Sequence, residues 1–346
     1  MADRTNQRKL EHLDIIASDR EVDRGRRHFD AIHLTHRALP ELDLAAIDPS
    51  LEILGRRLSF PLLISSMTGG DDELLRRVNR HLALAAEATG VAMGVGSQRV
   101  MFTHPAARAS FALREFAPKT LLFANLGAVQ LNYGFDETQC RTAIEVLGAD
   151  ALYLHLNPLQ EAIQPEGNTK FAGLAARLGA LVSRLPVPVV LKEVGSGLSR
   201  TDAELALTQG IRYLDVAGAG GTSWSRIEAH RAGGLEALTP GVVFQDWGLP
   251  TPLALRQLAP LRDQATLFAS GGLRHGLDMV KAVILGAHLC GLAAPFLAPA
   301  RESPEAVIAV IEQLRRHFVT AMFLLGMPDL QALRFNDSLI VYEGSP

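Results

Sequence analysis

From Pro61 onward the chain repeats one pattern: a short apolar run, a loop rich in glycine or polar residues, then an amphipathic stretch at helical spacing. The apolar runs fall at 62–65, 91–95, 121–125, 151–155, 189–193, 211–216, 266–269 and 288–292. Strands that are apolar on both faces and alternate with helices imply an α/β fold with a parallel sheet covered by helices. Eight evenly repeated units imply a closed (β/α)8 TIM barrel. An open doubly wound sheet is the competing architecture, and it asks for a glycine-rich dinucleotide turn with an acidic residue at a set distance. Gly94-Val95-Gly96 and Gly218-Ala219-Gly220 are only fragments of such a turn.

The helical stretches carry their own boundaries. Leu74, Val78 and Leu82 share one face before Gly90 stops the helix. Thr201 with Glu204 reads as a capping box, and Ser303-Pro304 opens a helix striped by Val307, Val310, Ile311, Leu314 and Phe318. Residues 1–60 lack this rhythm and read as an N-terminal arm and lead-in to a barrel over 61–325. Residues 326–346 form a C-terminal arm or a subunit contact. A weak helical start near Arg8 would set Arg8 and His12 on one face with Lys9 beside them, which describes either a basic binding surface or a solvated turn.

A formal charge of -3, from 34 basic and 37 acidic residues, offers no global attraction for nucleic acid or an acidic membrane. Anion recognition must therefore be local and the ligand small. Cys140 and Cys290 stand far apart, which argues against a disulfide framework or zinc site and fits a reducing compartment. The N-terminus lacks a signal-peptide core, and no run is long enough to span a membrane, so a cytoplasmic location is expected.

In a barrel of this kind the loops after the strands open on one face, which carries the active site. Those positions hold Ser66-Met67-Thr68-Gly69-Gly70, Ser97-Gln98-Arg99, Asn125, Lys192, Thr222, Ser270-Gly271-Gly272 and Ala293-Ala294. The densest cluster follows the run at 151–155, where His155, Asn157, Gln160 and Glu161 crowd around Pro158. Such a cluster either does chemistry or satisfies loop backbone. Ser270-Gly271-Gly272 suits a phosphate, with the helix beginning near His275 adding its N-terminal dipole. Lys192 should project into the mouth, facing an anionic cofactor or paired with Glu193 or Asp215. Glu161 either meets a basic side chain or holds a hydrated Mg²⁺.

Taken together, Arg8-Lys9-Leu10-Glu11-His12, the MTGG at Met67, the GSQR at Gly96, the ANLG at Ala124, the HLNPLQE at His155, the KEVGSG at Lys192, the GAGGTSW at Gly218, the DWG at Asp246 and the SGGLR at Ser270 resemble the FMN-dependent, type 2 isopentenyl diphosphate isomerases. The resemblance implies conversion of isopentenyl to dimethylallyl diphosphate in isoprenoid biosynthesis. It implies FMN on Ser66, Met67, Thr68, Gly69, Ser97, Asn125, Lys192, Thr222, Gly271, Gly272, Ala293 and Ala294. The substrate diphosphate would meet Arg8, Lys9, His12, Ser97, Gln98, Arg99, His155 and Asn157. Gln160 would lie near the reacting end, and Glu161 would hold Mg²⁺. Lys192, Gln160 and His155 are the catalytic candidates, NADPH is the expected reductant of FMN, and a homo-oligomer is expected. Trp224 covers the substrate or anchors packing, and the long connection from Ala217 to Pro250 suits a lid or an oligomer contact.

Three flavin-barrel or related readings compete. A 2-hydroxy acid oxidase resembles its family in a His-Gly-Gly-Arg stretch after the sixth strand, and Gly218 to Trp224 holds neither the His nor the Arg. An IMP dehydrogenase-like enzyme needs a cysteine in that loop, and a tRNA-modifying barrel needs a basic surface. A non-catalytic flavin-binding scaffold is the alternative from outside enzymology.

Overall fold

The computed structural model describes residues 5–25 and 28–344; the outermost parts of the two expected arms, residues 1–4 and 345–346, and residues 26–27 lie outside them. Eight parallel strands close into a barrel: Leu62–Ile64, Ala92–Gly94, Leu122–Gly127, Ala151–His155, Val189–Lys192, Tyr213–Asp215, Thr266–Ser270 and Ala287–Leu292. Each pairs with the next in sequence, and Ala287–Leu292 returns to Leu62–Ile64. The fold class read from the sequence therefore stands, with strand ends shifted by a few residues.

Alternation along the strands divides the core in two. Leu62, Ile64, Met93, Leu122, Ala124, Leu152, Leu154, Val189, Leu191 and Leu214 pack outward with the helices. Leu63, Ala92, Phe123, Ala151, Tyr153, Val190, Phe268 and Leu289 instead form a separate cluster inside the barrel. The same parity carried two residues further along each strand reaches Gly94, Asn125, His155, Lys192, Ser270 and Gly291. The barrel interior thus changes from apolar to polar toward the C-terminal ends of the strands.

The helices form where their apolar spacing predicts. Glu73–Thr89 ends on Gly90 in the left-handed region, and Pro304–Leu325 is capped by Ser303 with Val307, Ile311, Leu314 and Phe318 buried. One cap differs from the expected capping box. Arg200–Thr208 is capped by Ser199, whose hydroxyl accepts from the Asp202 amide, while Thr201 lies within the helix.

Residues 1–60 contain more regular structure than their sequence advertises. A helix spans Thr5–Ser18, and a hairpin of Leu51–Ile53 with Arg56–Leu58 sends Ile53 and Leu58 into the inner barrel cluster, closing its N-terminal end. The strand Ile32–Leu34 pairs antiparallel with Ile340–Glu343. These strands are three or four residues long, too short for a period to show. No helix among the described residues is long and apolar enough to cross a membrane.

Candidate active site at the barrel mouth

A cavity of about 400 Å³ opens at the C-terminal ends of the strands. Its floor is a buried ionic layer produced by the register, which sets Lys192 beside Asp215 on neighbouring strands. Lys192 Nζ lies 3.2 Å from Asp215 Oδ2 and donates to Ser270 Oγ at 3.0 Å; Ser270 in turn donates to Asp215 Oδ1 at 2.7 Å. Tyr153 adds a hydroxyl 3.3 Å from Asp215 Oδ2, and its own burial beside that acid holds the phenol well above its usual range, so it remains a donor. Lys192 therefore has both features the sequence left open: it pairs with Asp215 and still lines the cavity. Glu193 is not its partner. That carboxylate turns away to accept the amides of Val194, Gly195, Ser196 and Gly197, clamping the loop after the fifth strand.

Next to this layer His155 receives a defined tautomer. Asn125 donates its amide to Ser66 Oγ and to the Val95 carbonyl, leaving Oδ1 to accept from His155 Nδ1 at 2.7 Å. The Nδ1 therefore carries the proton and Nε2 is the open nitrogen. Burial, then the charges of Lys9, Lys192, Arg8 and Arg99, push this imidazole down to about 3, so it is neutral near pH 7.

The arm brings the other cations. Arg8, Lys9 and His12, all on Thr5–Ser18, line the cavity with Arg99. Among the described residues no acid is paired to Lys9, and burial followed by Arg8 lowers its ammonium to about 7. Arg8 reaches Glu166 at 3.7 Å, and His12 lies 3.3 Å from Glu228 with its ring edge-on to Trp224. The arm rests on the helix Trp224–Arg231 of its own chain.

Glu228, on that helix and fully buried, accepts from Gln160 Nε2 at 2.8 Å and Arg231 Nη1 at 2.6 Å; against the upward pull of burial, His12 first and then Gln160 and Arg231 hold its carboxyl at about 2. Neither Glu228 nor Arg231 was found by sequence reasoning, because SRIEAHR reads as an ordinary solvated helix. A carboxylate and an arginine at i,i+3 were the only available signal.

The cluster after the fourth strand folds into the short helix Pro158–Ile163. Asn157 Nδ2 bridges Gln160 Oε1 at 3.1 Å and Glu161 Oε1 at 3.0 Å, while Glu161 Oε2 accepts the Asn168 amide. No basic side chain among the described residues forms an ion pair with Glu161. Beside it, Asn157 Oδ1 and Gln164 Nε2 are buried without hydrogen-bond partners. A carboxylate next to an unpaired amide oxygen is a hard-oxygen donor set, which fits one edge of a hydrated Mg²⁺.

Several expected flavin contacts also converge. Ser66, Met67, Ser97, Asn125, Lys192, Thr222, Gly271, Gly272, Ala293 and Ala294 all line the cavity. Gly271 and Gly272 have φ of 89° and 78°, and a Cβ on Gly271 would come within 2.1 Å of the Gly218 carbonyl. Gly94 and Gly291 leave the upper barrel interior without side chains on one side. This cradle fits a planar ring with a phosphate tail.

Three placements differ from expectation. Gln98 is fully buried away from the cavity, donating to the Ala143 carbonyl and accepting the Asn125 amide, so it supports Asn125 rather than facing a substrate. Thr68 and Gly69 lie behind the cavity wall, with Gly69 tight against Phe111. The helix Gly276–Ile284 is closed by its own His275 and Asp278, and beside the glycine turn a different helix, Ala294–Glu302, brings an end without a side-chain cap to the cavity. The connection from Ala217 to Pro250 contains the helices Trp224–Arg231 and Pro240–Val243.

The sequence profile of the FMN-dependent dehydrogenase family matches residues 2–113 and 160–340. The isopentenyl-diphosphate delta-isomerase of Hydrogenovibrio crunogenus is 56% identical over 335 residues, 97% of this chain and 98% of its own length. Its counterpart from Paracoccus zeaxanthinifaciens is 57% identical over 337 residues, covering 96% of each chain. Among solved structures, a flavocytochrome b2 variant with sulfite bound superposes with a TM-score of 0.69 at 20% identity, covering 96% of this chain and 82% of that one. A mandelate oxidase variant gives 0.66 at 21% identity, covering 94% of each. The structural likeness shows a shared barrel, and the closer sequence relationship resolves the branch: this chain belongs to the FMN-dependent dehydrogenase family and, within it, to the isopentenyl-diphosphate delta-isomerases.

Proposed function

We propose that the chain moves a proton across the allylic system of isopentenyl diphosphate to give dimethylallyl diphosphate, with FMN in the glycine cradle and Mg²⁺ at Glu161. The observation that carries this reading is two cationic regions in one cavity: Lys192 below the cradle, and Arg8, Lys9 and Arg99 at the arm. An anionic reduced flavin ring and a substrate diphosphate both need cations, and a hydrocarbon between them needs a surface that tolerates positive charge.

A proton enters at the terminal methylene carbon and another leaves the carbon adjacent to the one bearing the diphosphate, so no net oxidation occurs. Reduced FMN supplies an anionic, polarizable face for that exchange. Arg8, Lys9 and Arg99 hold the diphosphate, and Lys192, backed by Asp215 and Ser270, supplies positive charge to the cofactor's polar edge. Gln160, fixed between Asn157 and Glu228, orders the side of the pocket facing the carbon chain. Glu161, beside the unpaired Asn157 Oδ1, would hold a hydrated Mg²⁺, which would add positive charge at the diphosphate. NADPH would supply the electrons that bring FMN to its reduced form, and a homo-oligomer would be the working form.

The test is incubation of isopentenyl diphosphate with protein, FMN, Mg²⁺ and NADPH, followed by proton NMR for the allylic isomer. Its formation is expected; absence of isomer in flavin-loaded protein overturns the reading. Glu161→Ala should lower turnover by more than the roughly 10- to 100-fold that loss of a group merely supporting a metal ligand costs, while leaving flavin absorbance intact.

A further inference from the structure

The arm helix Thr5–Ser18 bears three of the groups expected at the diphosphate, and polar contacts join it to the barrel along its length: Arg8 lies 3.7 Å from Glu166, Glu11 accepts from Arg231 Nε at 3.2 Å, and His12 lies 3.3 Å from Glu228. At its end, Asp19 starts the turn Arg20–Val22 and accepts the Glu21 amide with Oδ1. Its other oxygen, Oδ2, accepts from Arg226 Nε at 2.6 Å and lies 2.7 Å from His230 Nε2. Both partners belong to Trp224–Arg231, the helix that also carries Trp224 and Glu228. One carboxylate oxygen therefore ties the arm's end to the helix roofing the cavity. The chain continues through Val22, whose carbonyl accepts the Ser223 amide, and Arg24, whose amide donates to the Gly221 carbonyl.

We propose that Asp19 is a positioning residue for the isomerase reaction: its bonds to Arg226 and His230 hold the arm closed so that Arg8, Lys9 and His12 face the substrate. This inference rests on the diphosphate reading above. Asp19 touches neither cavity nor substrate, so its influence is on the fraction of molecules whose arm is docked. If that fraction is f, apparent substrate affinity falls by the factor f, whereas turnover at saturation is retained because bound diphosphate draws the arm back. The local architecture favours survival of the fold without Asp19's charge. Arg226 keeps Glu21 at 2.7 Å and Gln245 at 2.9 Å, so it is not left buried and unpaired. Burial alone would raise the Asp19 carboxyl, but the Arg226 and His230 bonds hold it at about 2, so this carboxylate is ionised across the assay range.

The experiment compares wild-type, Asp19→Asn and Arg8→Ala holoenzymes in steady-state kinetics with isopentenyl diphosphate, together with bound FMN from absorbance. Asp19→Asn is expected to raise KM about tenfold with kcat within about twofold of wild type and FMN content unchanged. Amide exchange in the arm helix should speed up while exchange in the barrel strands does not. Unchanged KM and exchange in Asp19→Asn overturn the proposal. If Arg8→Ala still raises KM in that assay, the diphosphate reading survives; if Arg8→Ala is also silent, that reading falls with it. Should Asp19→Asn not fold, His230→Ala removes one of the two bonds to the same oxygen, and about a threefold rise in KM is expected. No rise in that variant is equally decisive against the latch.

Discussion

Asp215 is completely buried, and the four groups around it, Lys192, Ser270, Tyr153 and the Ala217 amide, all point positive charge or a hydrogen toward it. Such an acid is tolerable only while its cation is present. Lys192→Met should therefore cost about 3–5 kcal/mol in urea unfolding, in addition to losing flavin, and Lys192→Met/Asp215→Leu should recover part of that stability but none of the flavin binding. A second expectation concerns acid. His155 and His288 are lowered from 6.5 to about 3 and about 4, in both cases chiefly by burial. Below pH 6.5 the unfolded chain takes up protons that the folded one refuses, so stability declines as pH falls from 6.5 toward those values. Asp19 and Glu228, held near 2, act in the same direction between their ordinary range and 2. Thermal melts should show Tm falling steadily from pH 7 to pH 4; a flat profile would contradict the burial of these imidazoles.

At the scale of elements, the barrel strands were legible because runs such as VVLK and ALYLH are apolar on both faces and flanked by turn signals. The loop chemistry at His155 to Glu161 was legible for the opposite reason, an abrupt crowding of polar groups. The hairpin Leu51–Ile53/Arg56–Leu58 was not, since its two inward residues, Ile53 and Leu58, make no pattern over so few positions. Its value lies in tertiary contact alone. Leu58→Ala is expected to destabilise by about 2–5 kcal/mol, measured by denaturant midpoint, because it removes a side chain from the inner barrel cluster without relief from solvent. Glu228 escaped sequence reading similarly: an acidic residue in a charged helix gives no sign that the helix will be turned inward. The exchange of Thr201 for Ser199 as a cap shows the usual uncertainty at helix ends, where neighbouring hydroxyls compete for one role.

For the whole molecule, sequence reading could expect the residues after each run to meet at one cavity, because a barrel gathers the ends of its strands. It could not say how far each side chain reached. Gln98 sits between Ser97 and Arg99, which both line the cavity, yet the turn Gln98–Phe102 directs it inward to Asn125. Nor could it show that the arm lies over its own barrel, because that depends on ion pairs more than 200 residues apart in the chain, such as Asp19 with Arg226.

The pairing of Ile32–Leu34 with Ile340–Glu343 ties the arm's lead-in to the far side of the sequence. Closing a loop of about 300 residues is entropically unfavourable until the intervening barrel has condensed, so this clasp belongs to the last stage of assembly. Cutting the chain ahead of Ile340 would then loosen the strand Ile32–Leu34 while the finished barrel keeps its yellow cofactor.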